Sequence, residues 1–252
     1  MAEDKTNVKL ECLRSEIQVP LKDFAEKLMS QLGDKLESIT VVGSSLTDDF
    51  DPGRSDINTV LVVKRLSLDC LKPLGGMIKS ISKRRLAAPL LMTGSYIQRS
   101  RDVFGIEFLD FQLLHETILG DDPFEKLNFG KSDVRLQCER ELKAALIRLR
   151  QGYIASAGNR RLVRDVLVST AKGLVPLLRA ILWLKDIDRP ETARQVFEKA
   201  AGQFEINADC LITAQSWRHT KTRVHEDQIA MVFESVYNTI ETMAGIVDEL
   251  EV

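Results

Sequence analysis

A turn with phosphate-binding character follows the first apolar run of the chain. Residues 39–42 are apolar, and Gly43, Ser44 and Ser45 come directly after them. A glycine lets the backbone approach a phosphate closely, and successive N–H groups at such a turn form a cradle for an anion. An ordinary tight turn after a strand contains the same residue types, so this segment alone is a weak indication.

A pair of metal-binding candidates stands at the start of the second apolar run, residues 59–63. Asp56 and Asn58 are two positions apart, and in a strand such residues point to the same face. Asp56 offers a carboxylate and Asn58 an uncharged amide oxygen, both of which are hard ligands suited to Mg²⁺. Arg54 and Ser55, just before them, are the candidates for contact with a phosphate. The alternative is that these polar residues simply cap a strand.

A third carboxylate lies in the apolar segment 103–112, where large apolar residues alternate and predict a strand. Glu107 in such a strand would be costly to bury without a partner, which favours a role as general base or metal ligand. An exposed strand face explains the pattern equally well. Asp110 would lie on the opposite face and competes with Glu107 for the role.

The elements that must position these residues change in type along the chain. Strands are predicted in the first half, beside a helix over residues 21–32 and a helical segment 66–85 that Pro73 and Gly75-Gly76 should break. Apolar residues at helical spacing dominate the second half. The predicted strands cover residues 39–42, 59–63, 89–93 and 103–112, and the predicted helices of the second half cover 136–153, 162–185, a short segment after Pro190, 209–215 and 226–250. The sequence therefore predicts an α+β protein with an α/β domain over residues 1–130 and a helical bundle over 131–252.

Composition restricts the class of protein further. The chain has 252 residues, 44% of them hydrophobic and 29% charged, with a net charge of -2. This balance gives no general attraction to nucleic acid or to an anionic membrane. The four cysteines are scattered and predict reduced thiols. Because the N-terminus shows no apolar signal region and no run is as apolar as a membrane span, a cytoplasmic protein is expected.

The order Gly43-Ser44, loop, Asp56-x-Asn58 and later acidic residue resembles the polymerase-β-like nucleotidyltransferase superfamily. The similarity is greatest to two-domain bacterial enzymes related to kanamycin and streptomycin nucleotidyltransferases. In that family a Gly-Ser pair precedes an Asp-x-Asp or Asp-x-Glu pair, and a third carboxylate lies on a neighbouring strand. The resemblance implies a catalytic domain followed by a helical bundle. It also implies Mg²⁺-dependent transfer of a nucleoside monophosphate from a nucleoside triphosphate to an acceptor hydroxyl.

The resemblance implies roles for the candidate residues. Gly43, Ser44 and Ser45, with Arg54 and Ser55, would bind the triphosphate. Asp56, Asn58 and Glu107 would hold Mg²⁺, and Asp56 and Glu107 would be the catalytic residues.

The chain departs from the family pattern at Asn58, where the second carboxylate is expected. Losing that negative charge should weaken metal capture and slow transfer. Three interpretations stay open: an active enzyme aided by other carboxylates, a nucleotide-binding protein without turnover, and a degenerate scaffold whose helical domain mediates docking of a partner or formation of a homodimer.

Overall fold

The computed structural model describes residues 8–218 and 224–252. The first five residues, on which the expectation of a cytoplasmic protein partly rests, lie outside that part of the chain. The described residues form two compact units. The first comprises the described chain up to Phe104 together with Phe108–Asn128, and the second comprises Gly105–Glu107 and Phe129–Val252.

A four-stranded sheet forms the centre of the first unit. Its strands are β1 (Leu36–Val42), β2 (Asn58–Val63), β3 (Leu90–Met92) and β4 (His115–Leu119), in the spatial order β3-β2-β1-β4. β1 is antiparallel to both of its neighbours, whereas β2 and β3 run parallel. The predicted strands around residues 39–42, 59–63 and 89–93 are thereby confirmed.

Helices α1 (Ser15–Leu32) and α2 (Leu68–Ser82) contribute to the same buried core as one face of this sheet. The predicted break in α2 is wrong, because the helix continues through Pro73 and both glycines. Its buried residues recur at helical spacing, so core packing stabilises the helix more than these residues weaken it. The buried residues of α2 are Cys70, Leu74, Met77 and Ile81.

The segment predicted as a strand over residues 103–112 is instead a helix, and this is the main correction to the fold. After α3 (Gly94–Arg99), the chain forms α4 (Gly105–Leu113) and then enters β4, which the sequence analysis missed. Ile106, Phe108 and Leu109 are all buried, and neighbouring positions such as 108 and 109 cannot both face one side of a strand. A short apolar run of this kind does not distinguish a helix from a strand by its periodicity.

Five helices make up most of the second unit, as the sequence predicted. Their bounds are α5 Lys131–Ala155, α6 Arg160–Leu184, α7 Ala193–Phe204, α8 Asp209–Ser216 and α9 Glu226–Asp248. α6 contacts each of the other four. Contrary to the expectation that no run is as apolar as a membrane span, α6 is apolar enough by length and composition to cross a membrane, but 56% of its apolar window is buried inside the protein. A core helix of a soluble protein has the same properties.

Candidate functional site

The turn after β1 is a short 3₁₀ segment, Gly43–Leu46. Gly43 has a φ of 79°, a conformation that side-chain-bearing residues rarely adopt, although a Cβ added there would meet nothing within 4 Å. Glycine is therefore required by the backbone conformation of the turn, and not because a neighbouring group of the protein lies close to it. The Gly43 N–H donates to the carbonyl oxygen of Leu114 over 2.9 Å. The N–H of Ser44 is then the next group of this turn that could donate to a ligand.

The two serines of this turn differ in exposure. Ser44 is half-buried, whereas Ser45 is fully buried and its hydroxyl has no hydrogen-bond partner among the described residues. The carbonyl oxygen of Ser44 accepts from both the N–H and the hydroxyl of Thr47, each over 3.2 Å. Ser45 thus has no hydroxyl accessible from solvent, and only Ser44 is partly open to it.

The aspartate-rich loop between β1 and β2 is closed by Asp51 and Ser55. The Asp51 N–H donates to Ser55 Oγ over 3.0 Å, and the Ser55 N–H donates to the Asp51 carbonyl oxygen over 2.7 Å. Arg54 Nε lies 3.9 Å from Asp51 Oδ2. Ser55 is buried and stabilises the loop, so of the two phosphate-binding candidates here only Arg54 is exposed.

Asp56 and Asn58 are exposed, whereas Ile57 between them and Thr59 after them are buried. Backbone bonds from Ile57 to Arg85 (2.7 Å) and from Ala87 to Ile57 (3.0 Å) keep this segment extended. The alternating burial agrees with the expectation that Asp56 and Asn58 share one face.

One row of residues crosses the sheet at the end where this turn lies. Val42 is paired with Asn58 of β2 on one side and with His115 of β4 on the other. Directly paired residues of neighbouring strands point to the same face, so His115 lies on the face that carries Asn58. His115 was not among the predicted site residues because β4 was not predicted from the sequence. The only sequence signal was the apolar pair Ile118-Leu119 before a turn.

His115 is held in one orientation by two contacts. Its Nε2 lies 2.7 Å from Asp122 Oδ2, and its ring packs edge-on against Phe124 at 5.7 Å between centroids. Asp122 is itself fixed, because its Oδ1 accepts from the Phe124 N–H over 2.8 Å. A carboxylate only accepts hydrogen bonds, so Nε2 carries the proton and Nδ1 is the nitrogen that can take up another.

Glu107 belongs to the second compact unit and Asp56 to the first. Glu107 lies in the first turn of α4, where its Oε2 accepts from Gln137 Nε2 over 3.1 Å. Glu107 is therefore not in an apolar strand opposite to Asp110, and that prediction is wrong. On a helix, residues three apart lie on the same side. The role of Glu107 as metal ligand or base stays a prediction.

Within residues 8–218 and 224–252, no three His, Cys, Asp or Glu side chains converge to hold a metal ion. Asp56 and Asn58 offer one carboxylate and one amide oxygen on the same face. Mg²⁺ is commonly bound by one or two protein carboxylates, with water and substrate phosphates as its other ligands. The donor set fits a metal that arrives with a nucleotide better than a permanently bound one.

No protein-family model matches the sequence, and no curated protein matches it. Among solved structures, the chain is similar to spectinomycin adenyltransferase AAD(9) from Enterococcus faecialis, solved with ATP and spectinomycin. The TM-score is 0.57 at 12% sequence identity, over 88% of this chain and 98% of that one. The fold is that of a nucleotidyltransferase. The predicted fold class, an N-terminal nucleotidyltransferase-like α/β part followed by a helical part, is confirmed, and at this identity the likeness concerns the fold alone.

Proposed function

We propose that the protein transfers a nucleoside monophosphate from a nucleoside triphosphate to an acceptor hydroxyl. The observation that supports this most is the exposed pair Asp56 and Asn58 on one sheet face, beside the turn at Gly43. The solved enzyme of similar fold, which was crystallised with ATP, supports the same substrate class.

The residues of the turn and of β2 would hold the triphosphate. The Ser44 N–H donates to a phosphate oxygen, and the exposed guanidinium of Arg54 lies close in sequence to Asp56. Asp56 and Asn58 supply two oxygen ligands for Mg²⁺, which when bound neutralises phosphate charge. Gly43 allows the backbone conformation of the turn, and Ser55 closes the loop through its bond with Asp51. Both residues therefore position the binding groups and do not contact the nucleotide through their side chains.

His115 is the best-placed base for the acceptor in the first unit. The acceptor oxygen attacks the α-phosphorus, the bond from that phosphorus to the bridging oxygen of pyrophosphate breaks, and pyrophosphate leaves with the bond electrons. Nδ1 of His115 takes the hydroxyl proton, and the Asp122 carboxylate stabilises the imidazolium that forms. Glu107 is the alternative base, as the sequence suggested.

Calorimetry of ATP binding with Mg²⁺ tests the proposal. The wild type should bind, and Asp56→Asn should weaken binding at least about tenfold, because it removes the only carboxylate of the pair. Asp48→Asn is the matched control, since it removes an exposed carboxylate from the neighbouring loop and should change affinity less than about twofold. A wild type that does not bind ATP, or equal effects of the two substitutions, would contradict the proposal.

A second candidate is a protein that binds a nucleotide without turning it over. The specific observation in its favour is Asn58, whose amide contributes an oxygen ligand without a negative charge. In that case the sheet would keep its nucleotide-binding turn, and binding would serve a partner or a regulatory purpose.

A further inference from the structure

A cavity of about 450 Å³ opens within the helical unit. This size falls in the range of sites that hold small molecules. Its polar lining consists of Glu107, Glu141, Arg148, Ser169 and Thr170. Its apolar lining consists of Ile106, Ala145, Val166, Leu174, Pro176 and Leu177, and Gly173 completes the wall.

Glu107 is fixed in this cavity by a buried glutamine. Gln137 is 6% exposed, and its Oε1 accepts from the Ile106 N–H over 3.1 Å, so its amide nitrogen must face Glu107. The two segments touch closely here, because a Cβ on Gly105 would lie 2.9 Å from Val134 Cγ2. The hydrogen bond from Gln137 to one carboxylate oxygen thus orients Glu107, which is exposed at the cavity.

The lining carries one net negative charge, because Glu107 and Glu141 are acidic and Arg148 is basic. Glu141 forms ion pairs with Arg148 and with Arg140, which lies outside the lining, each at 3.3 Å. No cationic side chain of the described chain forms an ion pair with Glu107. The pKa of the buried Cys138 thiol is raised to about 12. Burial is the largest cause, and the negative charges of Glu107 and Glu141 raise this pKa further.

The wall formed by α6 adds hydrogen-bond acceptors. Gly173 carries no side chain that would cover the helix at this point. The hydroxyls of Ser169 and Thr170 line the same wall. The cavity therefore combines a carboxylate that forms no ion pair, two hydroxyl acceptors and an apolar surface.

We propose that this cavity binds a small organic cation, with a protonated primary amine attached to a compact apolar body. The three N–H groups of the amine match the Glu107 carboxylate and the hydroxyls of Ser169 and Thr170. The apolar body packs against Val166 and Leu177. A bare divalent metal fits less well, since one unpaired carboxylate and apolar walls cannot complete its coordination.

Ligand-detected NMR and calorimetry on the full chain test this with a matched pair of probes, cyclohexylamine and cyclohexanol. They have the same ring, but only the amine is cationic at neutral pH. Cyclohexylamine should bind at least about tenfold more tightly than cyclohexanol, and Glu107→Gln should remove that difference. Because no nucleotide is involved, the result is separate from that of the ATP experiment.

A steric variant tests the location. A Cβ added to Gly173 meets nothing within 4 Å, so Gly173→Leu should fill the cavity and abolish binding while α6 stays folded, as leucine is a stronger helix former. Gly245→Leu, an equally open glycine of α9 outside the cavity lining, should keep binding. Equal affinity of the wild type for the two probes, a preference for the amine retained by Glu107→Gln, or binding retained by Gly173→Leu would overturn the proposal.

Discussion

His115, the base in our proposal, illustrates how the contacts of a single side chain can prepare it for a chemical role. Asp122 fixes its tautomer and Phe124 fixes its ring plane, and pairing through Val42 brings it to the sheet face of Asn58. No two of these residues are adjacent in the sequence. The role therefore depends on strand pairing and on the turn after β4, not on a local motif.

Replacing His115 tests its role as the base. His115→Gln should lower kcat about 10²-fold or more and leave ATP affinity within about twofold, because general-base catalysis acts in the transition state. Asp122→Asn should have a smaller effect in the same direction, since the imidazole keeps its place but loses its counter-charge. Steady-state assays of pyrophosphate release measure both. A larger loss of kcat in Glu107→Gln than in His115→Gln would assign the base to Glu107 instead.

The cysteines differ in reactivity for reasons visible at each residue. All four are free thiols; Cys12 is exposed, whereas Cys70, Cys138 and Cys210 are buried. With a pKa raised to about 12, roughly one Cys138 in ten thousand is a thiolate at pH 8. Titration with a chromogenic disulfide should give one fast thiol in the native protein and four after unfolding. The Cys12→Ser variant should lose the fast phase, and fast modification of Cys138 would contradict the raised pKa.

At the level of elements, the sequence predicted what local spacing controls. The buried face of α2 repeats at helical intervals, which predicted a helical segment, whereas the break predicted from Pro73 and the two glycines was wrong. The segment around Glu107 has no such distinguishing period, and its conformation follows from packing of its first residues against Val134 and Gln137. β4 is five residues long and polar at its start, so only its pairing with β1 identifies it as a strand.

Gly120, which follows the edge strand β4, leaves no room for a side chain. Its φ is 74°, and a Cβ there would overlap the carbonyl oxygen of Glu37 in β1. Gly120→Ala should lower the free energy of unfolding by at least about 2 kcal/mol, from backbone strain and steric overlap. Urea unfolding measures the change.

The matched control for Gly120→Ala is Gly76→Ala in the interior of α2. A Cβ at that position meets nothing within 4 Å, and alanine favours a helix over glycine by up to about 1 kcal/mol. This control should therefore leave the protein unchanged or more stable. If Gly120→Ala destabilised the protein no more than Gly76→Ala, the close approach of Gly120 to Glu37 would be contradicted. Destabilisation by Gly76→Ala would contradict an uninterrupted α2.

For the whole molecule, the candidate site was partly predictable. Gly43, Asp56 and Asn58 could be named as candidates because a turn and a strand edge are local features. His115, the base in our proposal, could not be named because β1 and β4 are joined only by long-range pairing. The chain passes from the first compact unit to the second after Asn128, close to residue 130, where the sequence suggested a domain boundary. The cytoplasmic location and a possible homodimer stay predictions.

Whether the molecule is an enzyme or only a nucleotide-binding protein depends on the charge at position 58. Asn58 and Asp56 share an exposed face, so Asn58→Asp adds a second carboxylate where Asp56 already offers one. We expect slow release of pyrophosphate by the wild type with Mg²⁺-ATP and a panel of hydroxyl acceptors. The variant should be at least about tenfold faster, because two carboxylates capture the metal better than one.

Asn128→Asp is the control for this substitution, since it adds the same charge at an exposed position elsewhere in the first unit and should not change the rate. Circular dichroism of each variant verifies that the fold is retained. If the wild type binds ATP without turnover and only Asn58→Asp releases pyrophosphate, the protein binds a nucleotide without transferring its nucleoside monophosphate. Rapid release by the wild type would instead show that a single carboxylate and an amide suffice, and no turnover by either would refute the proposed transfer.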